Sequence, residues 1–132
     1  MSTAKDIMST ELITVRPEAS IEETLRALVN NKVTGLPVVK PGGEMVGVIS
    51  EYDLLVQISK SGKLEDKVFK EKIIFSTEVK TVRETATLEE IAPMFIDLKF
   101  RRLPVVDEKG KLLGIITRRD MMRIYYYRAK LQ

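Results

Sequence analysis

Apolar residues recur along this chain in two rhythms, one helical and one alternating, and the whole pattern comes round twice. Ile21, Leu25, Leu28 and Val29 fall at helical spacing, and so do Leu88, Ile91, Phe95 and Leu98. Each of these stretches opens on a hydroxyl followed three residues later by Glu, in Ser20-Ile21-Glu22-Glu23 and Thr87-Leu88-Glu89-Glu90. That is a capping box, in which hydroxyl and carboxylate satisfy the orphaned N–H groups of a helix start. Leu36-Pro37-Val38-Val39, a polar turn over Lys40 to Glu44 and an apolar run from Met45 to Ile49 predict a hairpin; Leu103-Pro104-Val105-Val106, Asp107 to Lys111 and Leu112 to Ile116 predict another. Ser50-Glu51-Tyr52-Asp53 and Thr117-Arg118-Arg119-Asp120 then open two further helices with a hydroxyl cap and a carboxylate. The predicted unit is β-α-β-β-α, with Thr14-Val15-Arg16 and Thr81-Val82-Arg83 as matching segments upstream of its helices. Pro93 lies inside the second copy's first helix, where it removes the bond to Glu89 and predicts a kink.

The two copies align without a gap at an offset of 67 residues, Lys5 to Leu55 on Lys72 to Met122, with 20 identities over 51 positions. The expected organisation is a first repeat over 1–60, a connector over 61–71 and a second repeat over 72–132. Between the copies, Gln57 to Lys70, with Ser61-Gly62 and many charges, reads as a helix end, a short loop and a polar link. One copy alone buries too little surface to be comfortably stable, so the expected fold class is α+β, two repeats packed with pseudo-twofold symmetry into one module.

Composition narrows the chemistry. At 132 residues, 44% hydrophobic and 31% charged, the chain is globular; with no Cys and no His it excludes disulfides, Cys/His zinc sites, thiolate nucleophiles and imidazole-based catalysis. No apolar leader or spanning segment is evident, which predicts a cytoplasmic location. The net charge of +3 is uneven: residues 1–71 hold 9 basic and 11 acidic groups, residues 72–132 hold 13 and 8. Positive charge therefore sits in the second copy.

The order of elements, the Leu-Pro-Val-Val strands, and above all Gly47-Val48-Ile49-Ser50-Glu51-Tyr52-Asp53 and Gly114-Ile115-Ile116-Thr117-Arg118-Arg119-Asp120 resemble the cystathionine-β-synthase (CBS) domain family. The tandem resembles a Bateman module, here expected to be free-standing because nearly the whole chain is used. The resemblance implies a regulatory, non-catalytic module that binds adenosyl compounds (AMP, ADP, ATP or S-adenosylmethionine) in up to two clefts between the repeats. No metal or catalytic cofactor is implied.

The residues support that chemistry. An ionised Asp accepts hydrogen bonds from both hydroxyls of a ribose, which makes Asp53 and Asp120 the candidate ribose ligands. Ser50 and Thr117 stand at helix starts, where free N–H groups and the helix dipole favour phosphate. The plainer reading of all four is helix capping alone. By resemblance, the adenine walls map to Ile13, Val33, Thr34 and Pro37 in the first copy and to Lys80, Phe100, Arg101 and Pro104 in the second. Also by resemblance, phosphates held beside one copy's Asp are met by basic residues of the other copy. Arg101, Arg102 and Arg119 fill those positions, whereas their counterparts Thr34, Gly35 and Tyr52 carry no charge. The main cleft is therefore expected to use Ile13, Val33, Thr34, Pro37, Ser50 and Asp53 with these three arginines, which pair bidentately with phosphate. The second cleft is expected to use Lys80, Phe100, Pro104, Thr117, Arg118 and Asp120.

Met121, Met122, Ile124, Tyr125, Tyr126 and Tyr127 give the last helix more apolar and aromatic surface than one helix edge hides, and the resemblance implies a homodimer through such helices. Two other assignments stay open at this level. Arg118, Arg119, Arg123, Arg128 and Lys130, interleaved with the tyrosines, suit a nucleic-acid-binding protein; a ligand-free interaction module is the other. An enzyme is disfavoured, because there is no Walker-type loop and no carboxylate cluster beyond the caps.

Overall fold

The structure, a computed structural model, describes residues 2–61, 66–97 and 101–131. Its elements are α1 (Ala4–Ile7), α2 (Ile21–Asn31), β1 (Gly35–Val39), β2 (Met45–Ser50), α3 (Glu51–Lys60), α4 (Asp66–Phe69), α5 (Leu88–Asp97), β3 (Arg102–Val106), β4 (Leu112–Thr117) and α6 (Arg118–Lys130). The fold is α+β, and the two copies repeat the same order of helix, hairpin and helix.

Capping boxes fix the helix starts. Ser20 Oγ accepts from Glu23 N at 3.1 Å, Thr87 Oγ1 from Glu90 N at 3.3 Å, Ser50 Oγ from Asp53 N at 3.2 Å and Thr117 Oγ1 from Asp120 N at 3.2 Å. Hydrogen bonds donated by the Thr87 backbone and hydroxyl hold the Glu90 carboxyl below its ordinary pKa, and Thr3 does the same for Asp6 at the start of α1. In the β3–β4 turn it is the Lys111 backbone, before that of Lys109, that lowers Asp107. Helix α5 continues through Pro93, with Leu88, Ile91 and Phe95 buried; Leu98 lies outside the described residues. In α2 the buried stripe is Ile21, Thr24 and Leu28 with Leu25 half-buried, while Val29 is 71% exposed, contrary to the periodicity reading. The stripe is rotated about the helix toward Thr24, a core position that a polar residue can occupy because its hydroxyl donates to Ser20 O at 2.9 Å.

The leading β element expected of each unit is one bridged residue. Val15 pairs in parallel with Val38, its N–H donating to Pro37 O at 3.1 Å and its carbonyl accepting from Val39 N at 2.9 Å; Val82 pairs likewise with Val105. A parallel ladder would continue on one side through an N–H at Pro37 or Pro104, and on the other, in the first copy, through one at Pro17. Proline has none, so the ladder stops. The same prolines are tolerated inside β1 and β3 because they stand opposite Val48 and Ile115, whose own hydrogen bonds face the other way. Val48 exchanges bonds of 2.9 and 3.0 Å with Ser76, and Ile115 exchanges bonds of 2.8 and 3.0 Å with Ser9.

Those last contacts set the spatial units, which differ from the repeats in sequence. One compact unit is Ile13–Val79; the other joins Met1–Leu12 to Lys80–Gln132. The segment leading into each copy lies on the hairpin of the unit formed by the other. Ala4 N donates to Ala86 O at 2.8 Å in the second unit, and Ile73 N donates to Ala19 O at 2.9 Å in the first. Each unit has its own core: Val15, Ile21, Leu36, Val38, Ile49 and Leu54 with Val68 and Ile73 in one, Ala4, Ile7, Leu88, Ile91, Leu103, Val105 and Ile116 in the other. The connector is thus more than a polar link, because Val68 on α4 is buried in the first unit's core.

Candidate functional site

The expected ligands of the first copy fall in one unit, at the junction of β1, β2 and α3. Ser50 ends β2 in an extended conformation (φ −117°, ψ 166°), and the chain turns directly into α3. The Glu51 N–H donates to Thr34 O at 3.0 Å, which ties the residues before β1 to the helix start. Val33 packs against the core and Pro37 is buried within β1, while Ile13 stays exposed two residues before the Val15 bridge.

Asp53 is half-buried and held by one oxygen. Its Oδ2 accepts from Ser50 N at 2.9 Å and Ser50 Oγ at 3.0 Å. Its Oδ1 has no partner among the described residues. Capping and ligand binding are therefore compatible: the cap fixes the carboxylate with one oxygen and leaves the other to accept from a ligand. Asp53 also borders a groove of about 390 Å³ between α3 and the segment after α4, with Val56, Gln57, Lys60, Glu71 and Ile74 among its walls. Gln57 bridges that segment to the helix, donating to Lys72 O at 2.8 Å and accepting from Ile74 N at 3.0 Å.

The second copy repeats the frame with different detail. Thr117 ends β4 (φ −113°, ψ 165°), and Asp120 Oδ2 accepts from Thr117 N at 2.8 Å and from Thr117 Oγ1 at 2.9 Å. Asp120 is only 8% exposed, and its Oδ1 accepts from Arg123 Nη1 at 3.3 Å. Pro104 is buried in β3; Lys80, Arg101, Arg118 and Arg119 are exposed; Arg102 is half-buried, and burial lowers its guanidinium pKa from the ordinary value while leaving it charged at neutral pH. Phe100 lies outside the described residues. Of the basic residues along α6, Arg123 pairs with Asp120, Arg128 with Glu89 at 3.6 Å, and Lys130 sits 5.4 Å from the centre of the Tyr126 ring. The Arg123 contact was missed from sequence, although its spacing of three from Asp120 is the helical pairing distance.

A model of the CBS domain matches residues 4–60 and 71–127. The chain belongs to the CBS domain family. It is 37% identical over 138 residues to the chloroplastic CBS domain-containing protein CBSX1 of Arabidopsis thaliana and 40% identical over 134 residues to CBSX2 of the same plant. Those alignments cover 86% and 83% of this chain but 58% and 56% of the relatives, so it spans little more than half their length. Among solved structures, CBSX2 in complex with AMP matches with a TM-score of 0.83 at 38% identity, over 98% of this chain and 99% of that one. The CBS domain pair of MJ0100 with 5′-methylthioadenosine and S-adenosyl-L-methionine matches at 0.77 and 25% identity, over 97% and 98%. Inosine-5′-monophosphate dehydrogenase of Methanocaldococcus jannaschii, 30% identical over 120 residues, aligns over 91% of this chain but only 23% of its own length. Among the described residues no helix is long and apolar enough to cross a membrane.

Proposed function

We propose that this chain is a regulatory CBS pair that binds an adenosyl ligand and performs no catalysis of its own. The observation that carries this reading is the Asp53 carboxylate, anchored through Oδ2 at a helix start with Oδ1 left to accept. In the proposal Asp53 grips the ribose diol, and Ser50 and the positive end of the α3 dipole face the phosphate; the N–H groups of Glu51 and Asp53, expected free, are instead bonded to Thr34 O and Ser50 Oγ. Ile13, Val33, Thr34 and Pro37 enclose the base, and Arg101, Arg102 and Arg119 neutralise the anion. Lys80, Phe100, Pro104, Thr117, Arg118 and Asp120 form the corresponding second set. The ligands named for CBSX2 and MJ0100, AMP and the pair methylthioadenosine and S-adenosylmethionine, share the adenosine that this chemistry reads. Binding energy shifts the module between states with different partner affinity. A cytoplasmic setting is part of the same reading.

Thermal unfolding with and without AMP, ATP or S-adenosylmethionine tests it. A ligand at 100 times its Kd adds about 2.7 kcal/mol, which raises Tm by roughly 10 °C in a domain of this size. No rise with any adenosyl compound at millimolar concentration rejects the reading.

A homodimer completes the proposal. Tyr52 is 73% exposed on α3, and Met122 and Tyr126 are each 59% exposed on α6. Aromatic and Met side chains held out on helices suit an interface with a second copy. Sedimentation equilibrium is expected to give twice the 15.0 kDa chain mass, and a monomer at all concentrations contradicts it.

A further inference from the structure

We infer that Arg123 is a built-in blocker of the second copy's ribose carboxylate, so that the chain binds one adenosyl ligand where its repeats suggest two. The inference rests on the proposed ribose role of the aspartates and adds to it a residue that decides which of them is open. Both carboxylates spend Oδ2 on an identical cap. They differ in Oδ1. On α6, Arg123 sits one turn after Asp120 and its Nη1 donates to Oδ1 at 3.3 Å, which takes one of that oxygen's two acceptor positions and leaves too few for both hydroxyls of a diol. On α3 the residue at the same offset from Asp53 is Val56, which has no donor, and Oδ1 has no partner among the described residues.

The competition is unequal in a way that favours occlusion. The Asp120 side chain is 11% exposed, so water screens the pair weakly at the acidic end, whereas Arg123 is 58% exposed and keeps a long flexible stem. A ligand hydroxyl is neutral, so it replaces a bond in which both partners are charged with one in which only the carboxylate is. A ligand would therefore have to displace a covalently tethered cation to use Asp120 through both hydroxyls, and among the described residues nothing comparable stands at Asp53. Arg123 thereby converts a duplicated sequence into two inequivalent halves without altering the aspartate itself.

Isothermal titration of the full chain with AMP decides the matter. The wild type is expected to take up one AMP per chain, lost in Asp53→Asn. Arg123→Met, which keeps helix propensity and stem length but removes the donor, is expected to take up two. The added site should be lost on further change of Asp120→Asn. In the reciprocal exchange, Val56→Arg is expected to weaken the Asp53 site on the order of tenfold. A wild type that already binds two AMP, or an Arg123→Met variant that still binds one while remaining folded by circular dichroism, overturns the blocker and leaves the adenosyl reading intact. Absence of binding in every form overturns both.

Discussion

Replacing Asp53 with Ala is expected to lower AMP affinity on the order of 100-fold, because two charge-assisted hydrogen bonds to the ribose are lost together. The same change at Asp120 is expected to alter affinity only a few-fold, since its second oxygen is already committed to Arg123. Asp53→Ala also removes the carboxylate half of the α3 capping box, a loss of about 1 kcal/mol of stability that would complicate the comparison. Asp53→Asn separates the two effects. Its amide oxygen still accepts from Ser50, while the amide nitrogen turned to the ribose donates and accepts nothing. Titration calorimetry on both variants, with Tm measured in parallel, reads binding apart from stability. Equal losses at Asp53 and Asp120 would contradict the asymmetry.

The second large effect is structural. Gly47 opens the Gly-Val-Ile-Ser-Glu-Tyr-Asp motif, yet it touches no expected ligand. A Cβ built there would run into the Ser76 backbone carbonyl and the Phe75 ring. That carbonyl is the one bonded to Val48, so it cannot retreat without breaking the bridge that holds the 75–76 segment on β2. Gly47→Ala is therefore expected to cost about 3 kcal/mol. Gly114 is crowded differently: its added Cβ would meet Met8 Sδ at 2.6 Å and Ser9 O at 2.9 Å. Met8 is flexible and gives way, while the Ser9 carbonyl, bonded to Ile115 N, is overlapped less deeply than the Ser76 carbonyl at Gly47, so Gly114→Ala is expected to cost less, about 2 kcal/mol. Urea unfolding of the two variants checks the order; a Gly47→Ala protein as stable as the wild type would show that the segment is not packed against β2.

What the sequence revealed and what it concealed divide along the same physical line. Features written in side chains were legible: the four capping boxes, the Leu-Pro-Val-Val hairpins, and both aspartates at helix starts. Features carried by backbone groups were not. The attachment of Ser9 to Ile115 and of Ser76 to Val48 uses main-chain N–H and C=O alone, so no residue type announces that the first twelve residues join the second unit. In the sequence the motif glycines stand only as part of a signature; their physical reason is the close passage of those segments. Proline ended the leading strands through an N–H that is missing, a cause visible only once the ladder register is known. Among the site residues, Thr34 owes its place to its carbonyl, which accepts from Glu51 N, and its side chain gives no hint of this. Val29 lies outside because the buried stripe runs on the Thr24 flank, where a hydroxyl satisfied within the helix is as acceptable as an apolar group, and residue type alone does not give that direction.

Asp53 Oδ1 is the oxygen that the cap leaves to accept from a diol. Titration of the wild type and Asp53→Ala with AMP and with 2′-deoxy-AMP tests this most directly, because the ligands differ by one of the two hydroxyls that Oδ1 and the ribose share. The wild type is expected to prefer AMP by tenfold or more, with the preference gone in Asp53→Ala. Equal affinity of the wild type for both nucleotides, or a preference that survives in Asp53→Ala, would contradict it.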